Sequence, residues 1–329
     1  VYDLPVERPA PIGGSSMAKD SGVTRQMWRA IRQLSPGKVL KESEQRFDLA
    51  VVASSCEQAE EIRRFLLGRS PSEQDVRLLT SVLRLYLQPV SDEHIRAMLR
   101  EVEIVLAAAD AQEGLERLAA KTVTYHPEDP AGCVDAILNS DAGSMLRLSL
   151  ARHVPVLRPE VARRIVRQIS LENAGLAIST ALGNVVPNVL QPVLGVAEAA
   201  GDIVLLTANQ VRMMLMLGAG YGQKVGFAAQ WREISSIVGA AFTWRALARN
   251  LMSKIPFGGG LVPKGAIAYA GTFTVGEGLI FYYTTGRQMT REEAARTFRS
   301  AYSGSVERVR SLVGRLGRVR QDAVGSGQE

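Results

Sequence analysis

The chain has 329 residues, 46% hydrophobic, 22% charged and 6% aromatic, with a formal net charge of +6. That composition excludes global disorder and leaves room for two domains at roughly 100–200 residues each. Cys56 and Cys133 stand alone and far apart, which excludes a disulfide framework and a zinc-binding cysteine set and fits a reducing compartment.

Residues 1–23 are rich in Pro, Gly and Ser, lack an apolar run of signal-peptide length, and read as a disordered leader. A short amphipathic segment follows, with Trp28, Ile31 and Leu34 at three-residue spacing. Phe47–Ala53 and Glu103–Ala109 are near-continuous apolar runs and Thr122–His126 is β-branched and aromatic, so all three read as strands. Between the first two, helical spacing predicts helices through Ile62, Phe65 and Leu66, through Val76, Leu79, Leu83 and Tyr86, and through Ile95, Met98, Leu99 and Val102. Leu115–Ala120 predicts a shorter one. Strands separated by helices imply crossover connections and a mainly parallel sheet, so residues 24–141 are expected to form a small α/β domain.

Residues 142–304 read as helical. Pro159 suits a first helical turn, after which Val161, Ile165, Val166 and Ile169 face one way and Arg163, Arg164 and Arg167 the other. Asn173–Val211 carries only Glu198 and Asp202 as charges and is broken into two arms by Pro187 and Pro192. Ile255–Gly286 carries only Lys264 and Glu277, and its Ala266, Ala270, Thr274 and Gly278, with Gly271 beside them, form a stripe of small residues that lets another backbone approach closely. The two blocks are expected to be two apolar hairpins. A bilayer span needs about 20 apolar residues. Ala266–Tyr283 offers 18, interrupted by Glu277, so length leaves a membrane hairpin and a buried core hairpin both open.

The positive charge is concentrated at the end of the chain: Arg287–Arg320 holds nine arginines against Glu292, Glu293 and Glu307. Residues 305–329 read as a basic amphipathic helix and tail, with Val306, Val309, Leu312, Val313, Leu316 and Val319 on one face and Arg308, Arg310, Arg315 and Arg318 across it. Such a helix can lie in an anionic headgroup layer with its arginines on lipid, or dock on the protein with a wet basic face. The absence of aromatics there argues against nucleic acid.

Chemistry-bearing motifs are missing. The loop after FDLAVVA reads Ser54-Ser55-Cys56-Glu57-Gln58, without the glycines and lysine that a phosphate-binding loop needs. Asp129-Pro130-Ala131-Gly132 matches DxxG too briefly to carry weight, and Gly218–Gly222 follows a Met-rich helix, where a helix end and turn are expected. His94, His126 and His153 lack metal-ligand spacing. No catalytic, cofactor-binding or metal-binding residue is expected.

The runs LRPEVARRIVRQISLENAGLAIS, TANQVRMMLMLGAGYG and REISSIVGAAFTWRALARNLMSKIPFGGGLVPKGAIAYAGTFTVGEGLIFYY follow one another between Leu157 and Gly286. With Asn173, Gln210, Tyr221-Gly222, Arg245, Arg249, Ile255-Pro256 and Gly271-Thr272, this order resembles the YcjF-like domain of unknown function, a bacterial family often predicted to be membrane-associated and linked to Era-type GTPase domains. The resemblance implies that the α/β domain is a degenerate, P-loop-less GTPase-like unit. With the two sparsely charged blocks, it implies a non-enzymatic scaffold or partner in a GTPase-linked system at the cytoplasmic face of the bacterial inner membrane, anchored through the two apolar hairpins and assisted by the basic C-terminal helix on anionic lipid. A soluble cytoplasmic homo-oligomeric scaffold and a residual nucleotide-binding protein are the alternatives.

Overall fold

A computed structural model describes residues 17–111, 115–182, 202–237 and 260–325. The prolines at 187 and 192, Arg245, Arg249 and Ile255-Pro256 lie outside the described residues.

Helices α1 (Met17–Gln33) and α2 (Pro36–Ser43) lead into a four-stranded sheet. Its strands are β1 (Leu49–Ala53), β2 (Leu83–Leu87), β3 (Ile104–Ala108) and β4 (Thr122–Tyr125), all parallel and ordered β2-β1-β3-β4. The apolar runs LAVVA and IVLAA are buried on both faces, as central parallel strands require. Between strands run α3 (Cys56–Leu67), α4 (Glu73–Val82) and α5 (Asp92–Glu101). Each is capped by a serine immediately before it, Ser55, Ser72 or Ser91, whose side chain accepts a first-turn backbone N–H. Helices α6 (Pro130–Asn139), α7 (Asp141–Met145) and α8 (Arg147–His153) complete this half.

The expected α/β domain followed by a helical region is therefore present, with three differences in detail. The helix predicted through Val76, Leu79, Leu83 and Tyr86 ends at Val82, and Leu83–Leu87 forms the edge strand β2. LRLYL alternates with period two as well as fitting a helical face, and pairing with β1 settles the choice. Residues 17–23, expected in the leader, are the start of α1. The third difference lies in the glycine block.

Within that block, Leu261–Thr285 is one continuous helix rather than a bent hairpin. Helix α9 (Arg158–Leu182), α10 (Asp202–Gly220), α11 (Leu261–Thr285) and α12 (Arg291–Gly325) form a bundle in which α11 is central, packed on the other three. Its glycines at 265, 271, 276 and 278 sit inside the helix, and only Gly286, at φ 74°, takes the left-handed turn that ends it. From Leu261 through Tyr283 no residue of α11 is exposed. A helix apolar on most sides needs cover, and the bundle buries Ala266, Tyr269, Ala270 and Leu279 while Ile267, Phe273, Ile280 and Phe281 stay half-buried.

Helices α9 and α10 are the two arms of the first apolar block, antiparallel and joined by polar contacts in an otherwise apolar layer. Asn173 Nδ2 donates to Thr272 Oγ1 at 2.8 Å, and Asn209 Nδ2 donates to Asn173 Oδ1 at 2.9 Å. One hydrophobic core runs from the sheet through α8 into α9 and α10, and a smaller one joins Ala174, Ile178, Ala266, Tyr269 and Val309 at the far end of the bundle.

Candidate docking surfaces and the crevice of the sheet

In a doubly wound sheet of this order, ligands bind where the chain reverses direction, outside the carboxyl ends of β1 and β3. That crevice is bridged by the protein itself. Ser54 N–H donates to Gln58 Oε1 at 2.9 Å, and Gln58 Nε2 donates across the crevice to Asp110 Oδ1 at 2.8 Å. Ser55 caps α3 by accepting Gln58 N–H, so a helix end that could cradle phosphate is already occupied. Glu57 in the first turn and Asp110 opposite would both repel an anion. Cys56 opens α3 exposed and takes no part in these bonds.

The weaker motifs have structural uses. Asp129 caps α6 by accepting Gly132 N–H at 2.8 Å, which accounts for the DxxG spacing. Gly218–Gly222 ends α10, with Gly222 at φ 71°. His94 packs against Tyr86, His126 against Glu128, and His153 is held by Ser149 beside Phe47, with burial pushing its pKa below the usual histidine value. Among the described residues no His, Cys, Asp and Glu group could hold a metal ion.

The small-residue stripe lies within the bundle. Ala266 and Ala270 are fully buried, Gly271 and Thr274 buried, and Gly278 half-buried. The closest approaches come from neighbouring positions. A Cβ at Gly265 would lie 2.7 Å from Val309 Cγ1 and 2.9 Å from Ile178 Cδ1, and one at Gly276 would lie 2.5 Å from Val166 Cγ2. At Gly271 and Gly278 an added Cβ meets no described atom within 4 Å. The charges of the block are placed economically: Lys264 Nζ reaches Thr180 Oγ1, and Glu277 faces Arg163 and Arg167 of α9. Burial raises the Glu277 carboxyl above the usual range despite those two cations. Among the described residues no helix is long and apolar enough to cross a membrane.

The basic helix has two distinct faces. Phe298, Ser305 and Val309 of α12 are buried, and Leu312 lies 3.8 Å from where a Cβ on Gly175 would sit. Arg308 donates to Tyr269 Oη at 3.4 Å and Arg310 pairs with Glu307, whereas Arg296, Arg299 and Arg315 are exposed without a carboxylate partner among the described residues. The backbone of Arg318 continues the helix; its side chain lies outside the described residues. Beyond Leu312 the helix runs thirteen residues further to Gly325, about 20 Å at 1.5 Å per residue.

A second basic surface was not singled out by the sequence. Trp28 on α1 stacks on Trp231, ring centroids 4.9 Å apart and planes 17° from parallel, and Trp231 is 54% exposed. Beside the pair, Arg25, Arg29 and Arg32 run along one stripe of α1, all exposed. The readable signal was their spacing of four and three around Trp28; the partner indole, 203 positions away, was not readable.

Comparison with protein-family models, with curated proteins and with solved structures finds no match to this chain.

Proposed function

We propose that this protein is a non-enzymatic scaffold held peripherally on an anionic membrane, at the cytoplasmic face of the bacterial inner membrane, with its α/β domain offered to a GTPase-linked partner. The carrying observation is the two-faced α12. One side seats Val309 and Leu312 on α11 and α9, while Arg296, Arg299 and Arg315 are exposed, without a carboxylate partner among the described residues, and can reach lipid phosphate. No residue of α11 from Leu261 through Tyr283 is exposed, which supports peripheral attachment over insertion of this helix. The bridged crevice at Gln58 and Asp110 supports a binding role for the α/β domain over nucleotide hydrolysis. The GTPase-linked partner rests on the resemblance to YcjF-like domains.

Flotation with neutral and anionic vesicles at low and high salt tests the proposal. Flotation on anionic vesicles alone, reversed by salt, is the expected result; flotation on neither rejects it.

A soluble homo-oligomer is the second reading, favoured by the edge strand β2. Leu85 and Leu87 are 50% and 44% exposed there, and among the described residues β2 pairs with β1 alone. Concentration-dependent self-association lost in Leu85→Glu is its expected signature.

A further inference from the structure

Trp28 packs partly against the core, but the Trp231 indole stacked on it is 54% exposed beside the exposed arginine stripe of α1. We infer that this surface is a second contact with the anionic bilayer, in which Trp231 enters the headgroup layer and Arg25, Arg29 and Arg32 engage lipid phosphates. The inference rests on the peripheral-membrane reading above and adds a separate surface to it.

Charge complementarity selects the occupant. Arg25, Arg29 and Arg32 have no carboxylate within ion-pair distance among the described residues, so their charge is left for an anionic partner. Arg232, beside Trp231, is also exposed. Guanidinium groups bind phosphate through paired donors, and an indole is among the side chains that best occupy a membrane–water interface, apolar body inward and N–H toward water.

Shape points the same way. A groove beside the stacked pair holds about 350 Å³ and is lined by Trp28, Trp231, Ile31 and Phe227. It lies open rather than enclosed, which suits a planar surface better than a small molecule that must be surrounded. The two indoles already stack on each other, so no slot remains between them for a nucleobase. A single open indole face also falls short of the successive platforms on which a single-stranded nucleic acid stacks.

The test uses the full chain carrying Trp244→Phe, which leaves Trp28 and Trp231 as its only tryptophans. Emission is read on anionic vesicles containing phospholipid brominated near the headgroup end of its acyl chains. Expected are a blue shift and quenching, both largely lost in Trp231→Phe. The triple variant R25E/R29E/R32E should bind vesicles at least about tenfold more weakly, from roughly 1 kcal/mol per basic residue at the surface. Vesicle binding without quenching would overturn the second contact and leave the α12 reading standing. No vesicle binding at all would overturn both. Quenching by a single-stranded oligonucleotide at lower concentration than by lipid would overturn the inference in favour of a base-stacking surface.

Discussion

Arg158, at the start of α9, donates to Asp75 Oδ1 of α4 at 2.8 Å while its guanidinium lies 5.6 Å from the centre of the Tyr221 ring. It also donates to the carbonyls of Ala151 and Arg152, so one side chain ties α9 to α4 and α8 at three points. Both partners are largely buried, at 13% and 15% side-chain exposure. Arg158→Ala would strand the Asp75 carboxylate and should cost about 3 kcal/mol in urea unfolding. Arg158→Lys should recover only part of this, since an ammonium cannot make the same set of bonds. Burial pushes the Asp75 carboxyl up, but hydrogen bonds from Arg158 and Ser72 outweigh it and hold it below 3.8. The resulting stabilisation is complete above pH 3.8 and is lost as pH falls below it.

Close packing in the bundle should be sensitive at Gly265 and Gly276. Gly265→Ala and Gly276→Ala place a methyl under 3 Å from branched side chains on α12 and α9. Each should destabilise by about 2 kcal/mol through overpacking. Gly271→Ala, with no described atom within 4 Å of its new methyl, should be neutral or stabilising by up to about 1 kcal/mol from helix propensity. Thermal unfolding of the three variants checks the contrast, and equal losses at all three would refute it.

Glu277 opposes folding at neutral pH, because burial raises its folded pKa above the ordinary 4.5. A raised carboxylate contributes stability that is full below the unfolded value and is lost as pH rises through the folded one. Glu277→Gln should therefore raise the melting temperature at pH 7 to 8, with the difference shrinking toward pH 4. A variant less stable at neutral pH would mean that attraction to Arg163 and Arg167 outweighs the burial.

The crevice account predicts that GTP and ATP leave the protein unaffected. At millimolar nucleotide with magnesium, melting should stay within about 1 °C, since a ligand well above its Kd would add kcal/mol of stability and shift it visibly. A shift of several degrees would show that Gln58 gives way to phosphate.

The legible parts of the sequence were those set by local pattern. FDLAVVA and EIVLAAA announce β1 and β3, because buried parallel strands are apolar almost without interruption, and TVTYH announces β4 by its β-branched and aromatic residues. Strand β2 was hidden because Leu83 follows α4 directly and Leu83 and Tyr86 continue its helical spacing. The low charge of the block matches the burial or half-burial of Leu261–Tyr283, yet nothing in Ala266 or Ala270 encodes whether lipid or α9 and α12 provide the cover. Close helix contact was expected along the stripe of Ala266, Ala270, Thr274 and Gly278, whereas the tightest approaches fall at Gly265 and Gly276. The Trp28 and Trp231 surface required the fold to exist, since one indole comes from α1 and the other from the segment after α10, 203 positions away.

The most direct measurement is flotation on anionic vesicles of the full chain against R296E/R299E/R315E/R318E, a variant that spares Val309 and Leu312 and keeps α12 seated. The account predicts salt-sensitive binding by the parent and binding weaker by at least about tenfold in the variant, at roughly 1 kcal/mol per surface arginine. Equal, salt-resistant flotation of both proteins would contradict it and return the attachment to the apolar helices.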